Sequence, residues 1–427
     1  MGTTAFVGAH VIDVADGSRS GTTVVISGDR IEAVGPDGSV DIPASARMVN
    51  LDGRTLMPGM VTSHFHSTYN ELGSTPDPLG LDAPSIYQGL IAARNLELAL
   101  RCGFTGAVSA GASFDIDPSL ARAVKDGIIP GPRFMPGGRE LSTTGHSNDS
   151  APWYWELGAS GGIRICDGAE GFRLGTREEM KRGARVIKVF LTGGHGTTAP
   201  RSQTELTRDE LAAVIETAHA RGALVRAHIV NRPAIGMALD LGIDIIDHGD
   251  DIDDECIAQM VEQGTFYVPS IFFPKHFAAT IGAGLGFTAG IEEDLRYAAE
   301  ILPRANDAGV RLLVGDDYGA VGFPHGMYGK ELAVYVGDIG IPPLDVIRWA
   351  TVNGAALLGL ADELGTITVG NLADIVVVDG DPLADITVLG NPENILAVYK
   401  GGAPHVDRLS ELSGDPAATR ALTQAQR

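Results

Sequence analysis

Cysteine is scarce in this chain: only Cys102, Cys166 and Cys256 occur in 427 residues. They form no Cys-x-x-Cys and no even-numbered set, which excludes a disulfide framework and fits a reducing compartment. Long apolar runs are missing too. No segment approaches the roughly 18 consecutive apolar residues that suggest a membrane span. The opening Met1-Gly2-Thr3-Thr4-Ala5-Phe6-Val7 has neither the basic start nor the apolar core of a secretory signal. Positive charge is also in short supply, with 32 Lys and Arg against 54 Asp and Glu, a net charge of −22. Such a surface disfavours nucleic acid and anionic membrane as partners. The expectation is a soluble, cytoplasmic protein acting on a small molecule. What is present is ordinary globular material, 44% hydrophobic and 20% charged, enough to bury a sizeable core.

Both ends read as β-structure. Thr22-Thr23-Val24-Val25-Ile26-Ser27 is followed by a Gly28-Asp29 turn and Arg30-Ile31-Glu32-Ala33-Val34. Gly365–Val369, Asp374–Asp379 and Ile395–Tyr399 repeat this β-branched texture near the C-terminus. The middle instead alternates strands and helices. Strand candidates end near His66, Ser109, Gly137, Leu191, His228, His248, Ser270 and Asp316. One helix starts at a capping box, Thr207 with Glu210, and another begins with acids at Asp253-Asp254-Glu255. Strands alternating with helices in this number predict an α/β fold, a (β/α)8 barrel. The expected division is residues 1–57 and 361–427 as one small β-domain and 58–360 as the barrel, with a frayed tail from about Gly414.

The chemistry-bearing residues sit at the ends of the predicted strands. In His64-Phe65-His66 the two imidazoles are two residues apart, so a strand turns both to one face. Alone, the pair is as well explained by surface histidines. Downstream, however, stand Lys188 within Val186-Ile187-Lys188-Val189-Phe190, His228 and His248 twenty residues apart, and Asp316-Asp317. A mid-strand lysine is costly to bury unless it is paired or altered. The two readings are a Lys–carboxylate pair and a lysine carboxylated by CO2, whose carbamate bridges two cations. The whole series points to a metal-dependent hydrolase.

These residues, with Pro58-Gly59, His248-Gly249, Gly315-Asp316-Asp317-Tyr318-Gly319 and Gly370-Asn371-Leu372-Ala373-Asp374, resemble the amidohydrolase superfamily over essentially the whole chain. The branch most similar holds carboxylysine dipeptidases, ochratoxin-type carboxypeptidases and phenylurea or thiocarbamate hydrolases. The resemblance implies a distorted (β/α)8 TIM barrel flanked by a β-sandwich built from both termini. It also implies a binuclear centre: His64, His66 and Asp317 on one divalent metal, His228 and His248 on the other, carboxylated Lys188 between them. Zinc suits these ligands, with manganese, cobalt or iron as alternatives. The implied reaction is hydrolysis of a linear amide-type C–N bond by metal-activated hydroxide, with Asp317 shuttling the proton. Two departures stand out. Thr62 occupies the usual place of an aspartate, and Asp316 that of a threonine, leaving Asp317 as the expected catalytic carboxylate.

On the substrate side, His146 in Thr144-Gly145-His146-Ser147 resembles a histidine that polarises the scissile carbonyl, and His195 lies in a second glycine-rich loop. Trp153, Trp155 and Tyr318 are read as pocket walls for a hydrophobic or aromatic substrate, and Arg232 as a carboxylate anchor. The same loop aromatics would equally serve contacts in a homo-oligomer. Ring opening of a cyclic amide and a metal-free scaffold are the rival functions. A deaminase is disfavoured because Lys188 is retained.

Overall fold

In the computed structural model, residues 2–14, 17–74, 77–158, 161–195, 197, 199–280 and 288–409 are described. The expected tail from Gly414 lies outside them. The fold is α/β, with two parallel sheets and one mixed sheet. The mixed sheet draws strands from both chain ends. Its order is Ala403–Asp407, Ile395–Lys400, Ile375–Val378, Thr55–Pro58, Thr3–Asp13, Gly17–Ser27 and Arg30–Pro36, with Arg47–Asn50 pairing on Thr3–Asp13. The hairpin expected around Gly28-Asp29 is present, Ser27 opposing Arg30. Residues 365–369, read as a strand, form none: Gly370 N and Asn371 O bond instead to Ile31, which turns this stretch into a loop across the hairpin. The sheet has its own apolar core, including Phe6, Val24, Ile26, Leu56, Ile375, Val377 and Tyr399.

The parallel strands Met60–Phe65, Phe104–Ser109 and Arg133–Met135 form one sheet. The other runs Ile163–Ile165, Glu140–Ser142, Val186–Phe190, Leu224–Ile229, Ile245–His248, Phe266–Val268 and Arg311–Leu312. Contacts join the two sheets at both flanks: Gly137 bridges Val186, and Ser63 N donates to Val314 O at 2.7 Å. The last strand is shorter than its apolar run Val310–Gly315 suggests. At its end the ladder gives way: Leu313 N still donates to Tyr267 O of the neighbouring strand, but Leu312 O is taken by Asn353 and Gly315 N by Glu331. Helices connect the strands and begin where the sequence indicates. Arg208–His219 starts at the Thr207 capping box, and Asp254–Gln263 is capped by Asp253, which accepts from Cys256 N at 2.9 Å. All three cysteines are free and buried. Among the described residues, no helix is long and apolar enough to cross a membrane.

Candidate metal centre

His64 and His66 do face one point, as their spacing requires. Their Nε2 atoms are 3.2 Å apart, and Asp317 Oδ1 lies 3.0 Å from the first and 3.4 Å from the second. Both imidazoles are buried. His66 Nδ1 meets acceptors, Gly111 O at 3.0 Å and Glu140 Oε1 at 3.4 Å, so it carries the hydrogen and Nε2 is a lone pair. At most one hydrogen, on His64 Nε2, can then lie among these three acceptor atoms. A cation fits such a set better than any arrangement of protons does. Burial keeps His66 below its usual pKa. Burial also opposes charge on Asp317, but His64, His66 and His248 hold its carboxyl well below the usual range.

The neighbouring aspartate has a different occupation. Asp316 Oδ2 accepts from Phe272 N and Phe273 N, both at 2.9 Å, at the start of the helix Phe272–Ala279. Burial, then Glu331 and Asp317, push its carboxyl well above the usual range. Gly315 makes the close approach possible: a Cβ there would come within 2.2 Å of His64 N, and its φ is 146°.

His248 reaches the site by a backbone device. In register, His228 opposes Asp247 across a parallel pair, so Asp247 shares the inner face with Arg226 and His228. Strand alternation would send His248 to the other face. Its φ of 69° turns it back, and its ring comes 4.5 Å from that of His228 and 5.3 Å from that of His64. Both its nitrogens are buried without a partner, which costs on the order of 1–3 kcal/mol per group unless something binds them. Burial, with the charge of neighbouring His195, holds His248 well below its usual pKa, and burial with Lys188 does so for His228. His228 Nε2 lies 3.1 Å from Gly194 O.

Lys188 is buried with Nζ 2.7 Å from Asp247 Oδ2. That contact is the lysine–carboxylate pairing, but Asp247 has a second and fuller partner. Arg226, wholly buried, donates to both Asp247 oxygens and to Ser63 O and Ser109 O at 2.9 and 2.7 Å. Asp247 Oδ1 in turn lies 3.2 Å from His64 Nδ1. Burial would raise the Asp247 carboxyl, yet Arg226, Lys188 and His64 keep it well below the usual range. Sequence reasoning missed Arg226, Asp247 and Glu140. The signal for Arg226 was legible, since it stands mid-strand two residues before His228, as Lys188 stands mid-strand in its neighbour. Replacing Arg226 by Met is expected to lower stability by roughly 3–5 kcal/mol, because Asp247 loses most of its compensation. Urea unfolding of the metal-free protein measures this. A loss below about 1 kcal/mol would mean that Lys188 alone satisfies the carboxylate.

Other expected residues are distributed differently. His146 Nδ1 is 2.7 Å from Glu205 Oε2, and its buried Nε2 has no partner. His195 stays in its glycine-rich loop and turns toward the centre: its ring stacks on His248 at 3.8 Å, and it forms with His248 and Asp317 a second group whose ligand atoms lie within 4.8 Å of one another. Burial works against its charge, but Asp250 raises it to about 9. Tyr318 is no pocket wall. It is fully buried, stacked on Phe323, with its hydroxyl donated to Glu331 at 2.9 Å. Arg232 is engaged by Asp253 and Glu255 at 2.5 and 2.6 Å, where two helix starts meet, rather than held free as an anchor. Trp153 is 94% exposed and Trp155 half-exposed, so neither ring is packed as a wall. A small cavity does adjoin the centre, where His195, His248 and Asp250 meet Ile271, Pro274, Ile291, Leu295 and Ile301.

Residues 55–404 match the amidohydrolase family, and the chain belongs to that family. Among curated relatives it is 30% identical over 374 residues to an ochratoxinase of Aspergillus niger, covering 81% of this chain and 75% of the relative. Among solved structures it resembles a prolidase complexed with N-methylphosphonate-L-proline, at 32% identity and a TM-score of 0.83, covering 94% of this chain and 99% of that one. A Xaa-Pro dipeptidase with bound methionine in its active site is 28% identical, with a TM-score of 0.81, over 94% and 99% of the two chains. The chain is therefore a hydrolase of a family that typically binds divalent metals, and it carries His/Asp groups suited to them.

Proposed function

We propose that this chain is a binuclear metal-dependent amidohydrolase that cleaves a linear amide-type C–N bond in a small molecule. The observation that carries the reading is the buried convergence of His64 Nε2, His66 Nε2 and Asp317 Oδ1 beside the unpartnered nitrogens of His248. In this reading His64, His66 and Asp317 hold one metal, and His228 and His248 the other. A carboxylated Lys188 would supply oxygen donors to both. The Arg226–Asp247 pair supports that last role, because Asp247 remains compensated when Lys188 gives up its positive charge. Zinc suits the donors, and manganese, cobalt or iron would also serve. When bound, the metals supply Lewis acidity and bring a water's pKa towards about 7. Asp317 takes the proton of the attacking water and passes it to the leaving amine. His146, held through Nδ1 by Glu205, turns Nε2 to the scissile carbonyl.

The same reading joins the two parallel sheets into one distorted (β/α)8 barrel over residues 58–360, through the Ser63–Val314 and Gly137–Val186 contacts. The mixed sheet, with its separate apolar core, is then the β-sandwich domain drawn from both ends of the chain. The apolar wall of Ile271, Pro274, Ile291, Leu295 and Ile301 supports a hydrophobic or aromatic substrate group. The exposed Trp153, Tyr154 and Trp155 suit a contact between copies of this chain better than a pocket wall. The relatives named prolidase and Xaa-Pro dipeptidase set dipeptides and N-acyl amino acids first among substrates, ahead of anilides and aryl ureas or carbamates.

Elemental analysis and a substrate screen test the reading. The purified protein is expected to carry about two divalent metals per chain. Chelation should abolish turnover of at least one linear amide, and re-addition of metal should restore it. Turnover confined to cyclic amides or imidazolones would overturn the linear-amide assignment. A protein that stays metal-free after metal-supplemented expression would overturn the metal-dependent one.

A further inference from the structure

We infer that His195 is itself a ligand of the second metal, beside His248 and facing Asp317, with Asp250 holding its ring. The inference rests on the metal-dependent reading above and adds a ligand that the family resemblance does not assign.

Four observations carry it. His195 is nearly buried, its side chain 5% exposed, so its ring does not lie open at the mouth. Its Nε2 is buried without a partner, as are both nitrogens of the His248 ring on which it stacks at 3.8 Å. Its Nδ1 lies 3.5 Å from Asp250 Oδ1. A carboxylate on one ring nitrogen, with the other left free, is how metal-bound histidines are usually oriented. His64 likewise has a carboxylate, Asp247, 3.2 Å from Nδ1, with its Nε2 turned to His66 and Asp317. Finally, the loop is built to deliver the ring. Gly194 packs so closely that a Cβ would come within 2.8 Å of Arg201 Cβ, and His195 adopts a left-handed φ of 46°. His228, through Nε2 to Gly194 O at 3.1 Å, braces the same turn. His146, the other loop histidine, is instead held by Glu205; it belongs to neither His/Asp group, and His228, whose Nε2 meets Gly194 O, lies outside both as well.

The test compares the unsubstituted enzyme with His195→Gly, His195→Asn and Asp250→Asn. Bound metal is measured by elemental analysis, and metal-free protein is titrated with cobalt(II) while the visible absorption of the bound ion is followed. Glycine and asparagine both accept the left-handed backbone at 195, and unfolding midpoints of the metal-free variants check that the fold survives. The parent is expected to bind about two metals, and His195→Gly and His195→Asn about one, with second-site affinity reduced more than about a hundredfold. Asp250→Asn should keep both metals but weaken the second by roughly 10–100-fold, as loss of an orienting partner does. Full metal content with an unchanged cobalt spectrum in the folded His195 variants would overturn the inference, even if KM rises, since that assigns His195 to the substrate. Absence of metal from the parent protein would overturn the underlying reading instead, and it is told apart because it appears before any substitution.

Discussion

Asp317→Asn is expected to lose roughly 10²–10⁴-fold in turnover, the usual contribution of a positioned acid–base group, while retaining much of its metal. Asn still offers an oxygen near His64 and His66, but an amide takes no proton at neutral pH. Asp316→Asn should behave in the opposite manner. Its carboxylate accepts from Phe272 N, Phe273 N and Asp317 N. Disturbing these bonds should cost on the order of 1–3 kcal/mol of stability and leave turnover within about tenfold. Steady-state kinetics, metal analysis and urea unfolding on both variants separate the two roles. If Asp316→Asn proved the more severe for turnover, the proton shuttle would belong to Asp316, and the turn at Gly315 would have to rearrange on binding.

Lys188→Ala should be the most damaging single change to the centre. It is expected to lose most bound metal and nearly all activity, because Asp317 would then be the one described side chain common to the two His/Asp groups, with no carbamate to join it. The fold should survive, since Asp247 keeps its bidentate partner Arg226. A buried carboxylate left wholly unpaired would cost about 3–5 kcal/mol, and that penalty is avoided here. Short carboxylic acids or bicarbonate should restore part of the activity by occupying the space of the lost carbamate. A Lys188→Ala protein with full metal and full activity would reduce Lys188 to a structural ion pair with Asp247. In that case the binuclear assignment would fall.

The positions of most strands and the His64–His66 convergence were legible because both depend on short-range periodicity. Apolar runs mark strands, and residues i and i+2 share a face. The helix starts at Thr207 and Asp253 were legible for the same local reason, being set by side chains within one turn of the backbone they cap. The failures came where a side chain's destination depends on residues distant in the chain. Tyr318 looks like a pocket aromatic beside a catalytic turn, yet Glu331 and Phe323 draw it into the core. Arg232 looks free in sequence until Asp253 and Glu255 arrive on the next helix.

The sequence by itself determined the family, the alternation of strands and helices, and the residue types gathered at the strand ends, since composition, periodicity and motif spacing are properties of the chain alone. Only the tertiary structure decided how those residues divide the work. Alternation assigns Asp247 and His248 to opposite faces, and a single left-handed residue brings both inward. Arg226 and Lys188 share one carboxylate because neighbouring strands align them in register. His195 reaches the side of His248 because Asp250 and the tight glycine turn of its loop hold it there. The shared carboxylate and the Asp250 contact join residues far apart in the chain, at distances that exist only once the strands have paired.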